Sequence, residues 1–75
     1  MSPDAVSTAV AHLVREWGEY GYRVVDLCSA GGGAGAIQVR CMDGSEFWIA
    51  ASRYGETVAD GDTFNAAVGA LRVTL

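Results

Sequence analysis

Lysine is absent from this 75-residue sequence, histidine and proline occur once each, and there are two cysteines. Each shortage excludes something. Without lysine, five arginines face nine Asp and Glu, leaving a net charge of -4. Phosphate contacts need a basic surface, so direct nucleic-acid binding is disfavoured and a basic surface on another protein is the natural partner. One histidine, His12, and two cysteines, Cys28 and Cys41, do not make a metal-binding set, because the paired short spacings of zinc sites are missing. Two cysteines are also too few for a disulfide-stapled secreted domain. No apolar run approaches the roughly 20 residues that span a bilayer, and no basic segment followed by an apolar stretch opens the sequence. A cytoplasmic protein without membrane contact, metal or cofactor is expected.

What is present suits a folded domain. The chain is 51% hydrophobic and 19% charged, which argues against disorder. Its length allows a single domain, residues 1–75, burying only about 60% of the surface its unfolded chain exposes. Marginal stability follows.

Val6, Val10, Leu13, Val14 and Trp17 recur along one side of a 3.6-residue period, predicting an amphipathic helix from Pro3 to Tyr20. Ser2 can cap it, Pro3 suits its first position, and Asp4 favours the positive end of its dipole. Gly21 can end it in a left-handed conformation, with Tyr22 folding back on Trp17 in a Schellman motif. Alternation then predicts strands over Arg23–Ala30, Ile37–Met42 and Glu46–Ala51. The first should put Val25 and Leu27 on one face, with Cys28 on the other.

Register between the second and third strands can be argued from their apolar faces, which must coincide. A three-residue loop, Met42 to Gly44, achieves this with Gly44 left-handed. It sets Val39 opposite Phe47, Ile37 opposite Ile49 and Arg40 opposite Glu46, and the helix should cover the Phe47 and Ile49 face. A loop or short fourth strand around Thr57 and Val58 follows. Asp62 can cap a short helix holding Phe64, Ala67, Val68 and Leu71, and an extended end is expected because Leu71, Val73 and Leu75 alternate. The fold class is α+β: an N-terminal amphipathic helix on a three- or four-stranded antiparallel sheet, then a short C-terminal helix.

Three motifs invite chemistry and fail on context. Gly31 to Ala36 matches G-x-G-x-x-A, yet a strand rather than a helix follows, so no helix N-terminus meets a pyrophosphate. A mobile connector that could order against a partner is expected there. His12 shares the polar helix face with Asp4, Thr8, Arg15 and Glu19, pointing to water and away from either thiol. Asp60, Gly61 and Asp62 begin like a calcium loop but lack its remaining ligands. No catalytic residues are expected.

Trp48 lies on the face opposite Phe47 and Ile49, beside Gln38, Arg40 and Met42. Either the C-terminal helix covers it through Phe64, Val68 and Leu71, or it forms an exposed patch with Met42 and Tyr54. Such a patch would be a protein-binding or self-association surface. The candidate contact residues are therefore Trp48, Tyr54, Glu56, Asp60, Asp62, Arg40 and Met42.

In its small size, acidic balance, absent lysine and "DGSEFWIAASRYGE" hairpin, the chain resembles small phage or mobile-element proteins, among them the anti-CRISPR inhibitors. The resemblance implies binding to a CRISPR surveillance complex in the host cytoplasm, with Asp4, Glu16, Glu19, Glu56, Asp60 and Asp62 occupying a basic groove meant for nucleic acid and Trp48 and Tyr54 as apolar anchors. The alternative is a structural or accessory subunit that forms a homodimer through the Trp48 face.

Overall fold

The structure, a computed structural model, describes the backbone of residues 4–74 and the side chains of residues 8–73. Six elements follow in order: α1 (Asp4–Glu19), β1 (Arg23–Gly31), β2 (Ala34–Arg40), β3 (Glu46–Ala51), β4 (Val58–Gly61) and α2 (Phe64–Thr74). The four strands make an antiparallel meander in the order β1-β2-β3-β4. α1 lies mainly across β1 and β2 on one face, and α2 across β3 and β4 on the other.

The end of α1 is the Schellman motif that Gly21 and Tyr22 predict. Gly21 has φ 91°, its N–H donates to the Gly18 carbonyl at 3.0 Å, and the Tyr22 N–H donates to the Trp17 carbonyl at 3.2 Å. The accompanying apolar contact is aromatic, with the Trp17 and Tyr22 ring centroids 5.2 Å apart. The proposed roles of Ser2 and Pro3 lie outside the described residues.

The glycine-rich segment is the tip of a tight hairpin rather than a mobile connector. Gly32 and Gly33 have φ of 61° and 85°, the pair of left-handed residues that a type I′ turn demands, and Gly31 pairs with Ala34 across it. Gly35 belongs to β2 and is buried; a Cβ there would lie 2.6 Å from Cγ2 of Val10, so its absence lets α1 settle on the sheet. β2 therefore begins earlier than expected. It also ends earlier, at Arg40, because Cys41 enters the next turn.

Two irregularities in β1 were not visible in its alternation. Pairing with β2 shifts between Val24 and Asp26 and again between Ser29 and Gly31, leaving Val25 and Ala30 as the extra residues. Val24, opposite Val39, thus takes the core-facing place assigned to Val25, while Leu27 keeps its place opposite Ile37.

The β2–β3 hairpin follows the predicted register throughout: Ile37 faces Ile49, Val39 faces Phe47 and Arg40 faces Glu46. Its turn has the Gly44 N–H donating to the Cys41 carbonyl at 3.0 Å and the Cys41 N–H donating to the Ser45 carbonyl at 2.7 Å, with Gly44 at φ 89°.

Corrections concentrate near the C-terminus. The fourth strand runs over Val58–Gly61, just beyond Thr57. Thr63, not Asp62, caps α2: its Oγ1 accepts from the Ala66 N–H at 3.1 Å and its carbonyl from the Ala67 N–H at 3.0 Å. α2 then continues through Val73 to Thr74, so no extended end appears among the described residues. Gly69 lies within α2, and a Cβ there would meet nothing within 4 Å.

Two cores result. Leu13, Ile37, Val39, Ile49 and Ala51 are fully buried under α1, with Trp17, Tyr22 and Phe47 packed around them. Ala36, Ala50, Ala67, Val68 and Leu71 are buried on the other side, flanked by Trp48 and Phe64.

Candidate protein-binding surface

An antiparallel meander sends alternate turns to opposite ends of the sheet. The Cys41–Ser45 turn and the start of α2 share one end; the Gly32–Gly33 turn and the β3–β4 loop share the other. β4 pairs with β3 from Trp48 to Ala51, so Glu46 and Phe47 lie beyond the paired stretch. There the chain leaves β4 for α2, and an open concavity of about 610 Å³ forms, lined by Glu46, Phe47, Asp60, Gly61, Asp62 and Ala66. Three carboxylates from β3, β4 and the β4–α2 bend thus surround one hollow with an apolar ring in its wall.

All of the acids but Asp60 have a local reason to be there. Glu46 pairs across the strands with Arg40, whose Nη2 and Nε lie 2.7 Å and 2.8 Å from Glu46 Oε2. Asp62 stands just before α2, where the helix dipole favours negative charge. Asp43 adds a fourth carboxylate at the same end, and its Oδ1 accepts from the Ser45 hydroxyl at 2.6 Å and from the Ser45 N–H at 2.9 Å. These two bonds, the hydroxyl first, hold the Asp43 carboxyl below its ordinary value. Asp60 is exposed opposite Ile49 at the sheet edge and makes no ion pair with another described residue.

The predicted contact residues divide between the two ends. Arg40, Met42, Asp60 and Asp62 gather at the acidic end, with Met42 fully exposed on the hairpin turn. Tyr54 and Glu56 sit at the opposite end, in the β3–β4 loop, where Arg53 lies over the Tyr54 ring at 5.3 Å. The side chain of Asp4 falls outside those described, and Glu16 and Glu19 lie on α1, paired with His12 and Arg15.

Trp48 is not an exposed anchor. It is half-buried beneath α2, edge-to-face with Phe64 at 5.5 Å between ring centroids. The sheet face through which a Trp48 homodimer would form is therefore occupied by α2, by way of Phe64, Val68 and Leu71, as the covered arrangement requires. Sequence reasoning did not place Glu46 or Asp43 with Asp60 and Asp62. The β3–β4 pairing unites them, and only a four-residue strand records it.

His12 is exposed, 3.5 Å from Glu16, and lies against Gly55, where a Cβ would meet its ring at 3.0 Å. Both cysteines are free thiols. Among the described residues no group of three or more His, Cys, Asp or Glu side chains is arranged to hold a metal ion, and no helix is long and apolar enough to cross a membrane. Compared with family models, with curated proteins and with solved structures, the chain gives no match.

Proposed function

We propose that the chain is a non-catalytic protein-binding module whose acidic end docks on a basic surface of a partner protein. The observation that carries this reading is the convergence of Glu46, Asp60 and Asp62 on one open hollow, with Asp43 beside them and the exposed Met42 on the neighbouring turn. Carboxylates set around a concavity fit arginine and lysine side chains, and such complementarity speeds encounter and fixes orientation. Arg40 and Glu46 neutralise one another, so the charge left to meet a partner is that of Asp60 and Asp62, with Asp43 beside them.

A basic groove that normally receives nucleic acid is the partner such a surface fits best, and inhibition of a CRISPR surveillance complex is its concrete form. The acidic end would occupy phosphate positions and exclude DNA. Competition against target DNA for a purified surveillance complex tests this. The affinity of the wild-type protein for the complex, measured without DNA, should fall as salt rises. The D60N/D62N double variant should weaken competition about tenfold for each lost contact, or about 1.4 kcal/mol. Wild-type protein that never competes discards the CRISPR target; competition unchanged in the double variant discards the acidic end.

A further inference from the structure

The end of the molecule opposite the acidic hollow is built around the β3–β4 loop. Ser52 is buried there; its carbonyl accepts from the Gly55 N–H at 2.9 Å and its hydroxyl from the Thr57 N–H at 3.1 Å, while its own N–H donates to the Thr57 carbonyl at 2.9 Å. These bonds fix the loop, so Arg53 and Tyr54 are presented from a set position. The stem of Arg53 lies across the glycine turn, where a Cβ on Gly33 would meet its Cδ and Cγ at 2.7 Å, and its guanidinium sits over the Tyr54 ring at 5.3 Å. Arg72 stands nearby in the last turn of α2. Turn, loop and helix border a hollow of about 510 Å³, with Ala30, Ala34 and Leu71 in its wall beside Arg53, Arg72 and Glu56. Neither arginine makes an ion pair with another described residue, although Glu56 lines the same hollow.

We propose that this hollow binds a small organic monocarboxylate, its charged group held between Arg53 and Arg72 and its apolar body against Tyr54 and the alanine wall. Charge selects the class. Two arginines and one glutamate leave one positive charge unbalanced, which a monoanion matches, whereas a phosphate dianion would exceed it and meet Glu56. The planar guanidinium is also the side chain best shaped to a carboxylate. Of the acidic end, even Asp60, three residues from Thr57, lies roughly 10 Å along β4, about one Debye length at physiological salt, so its opposition is screened.

Size and position agree with a compact ligand. The volume falls within the range of about 300–1,000 Å³ that small-molecule sites occupy, and such sites combine apolar walls with a few placed polar groups. The hollow lies apart from Glu46, Asp60 and Asp62, so this binding does not rest on the acidic-end reading.

NMR of the full chain, with amide signals followed during titration with sodium phenylacetate, tests the proposal. Phenyl phosphate, which carries a dianion on a similar aryl body, serves as the comparison at the same ionic strength. Phenylacetate should shift the Gly32, Tyr54 and Glu56 signals along one saturating curve, with a Kd on the order of millimolar for so small a probe. Phenyl phosphate should bind about tenfold more weakly. R53Q and R72Q should each weaken phenylacetate about tenfold, and E56Q, which removes the opposing charge, should tighten it about threefold. The same spectra show whether each variant is folded, and a disrupted fold cannot produce the gain expected of E56Q. The proposal is overturned if phenylacetate gives no saturating shift at these residues, if its shifts are confined to Leu27 and Cys28, if phenyl phosphate binds as well, or if folded R72Q binds like the wild type.

Discussion

At the scale of single residues, the clearest constraint is Asp43. Its carboxylate accepts from the Ser45 hydroxyl and N–H, closing the β2–β3 turn over Gly44. Both bonds favour the ionised form, so the folded pKa lies below the unfolded value near 3.8. The sign follows from linkage. Asp43 contributes stability above the unfolded value, and that contribution is lost as pH falls through the lower folded value. Carboxyl carbon shifts followed by NMR should place its midpoint below 3.8, and S45A should raise it. The turn was legible in the sequence because Asp43, Gly44 and the flanking alternation each point to the same geometry. The roles of Gly61 and Thr63 were not, since close approach and capping choice depend on where α2 arrives.

Elements meet through absent side chains. At Gly61 an added methyl would strike the backbone of Ala66 and Ala67, which cannot swing aside. G61A should cost about 1–3 kcal/mol in denaturant unfolding as β4 and α2 part. G69A, in open space on the same helix, should add about 0.5–1 kcal/mol. The opposite signs separate packing from propensity. The Arg40–Glu46 pair joins β2 to β3, but both side chains are more than a third exposed or nearly so, and a double-mutant cycle should return no more than about 1 kcal/mol. α1 and the β2–β3 hairpin were readable because their signals are local: a long apolar stripe, a Gly-Tyr ending, and two strands whose faces must agree. The bulges of β1 were hidden, because an extra residue leaves composition unchanged while exchanging Val25 for Val24 in the core. The glycine run is followed by a strand, as its context predicts, but the mobile connector expected there was mistaken, since glycines that free a chain also build its tightest turns.

The whole molecule is a sheet between two helices, and its central strands serve both cores. Along β2 and β3, Ile37, Val39, Ile49 and Ala51 floor one core while Ala36 and Ala50 floor the other. Neither floor can dissolve alone, so the chain should unfold in one transition. Asp43, Glu46, Asp60 and Asp62 gather at one end together with Arg23 and Arg40, while Arg53, Glu56 and Arg72 line a hollow near the other. The candidate surface was half visible in the sequence, where Asp60 and Asp62 stand together; the pairing that adds Glu46 was not. The placement of the tryptophans has a practical use. Trp17 belongs to the layer under α1 and Trp48 to the layer under α2, so each indole is an intrinsic fluorophore for one side of the sheet. In W48F, emission reports α1 alone; in W17F, which also removes an indole N–H buried without a partner among the described residues, it reports α2 alone. Superimposable melting curves, each scaled to its own variant's stability, would show the two layers coming apart together, and a lag between them would reveal a helix that detaches first.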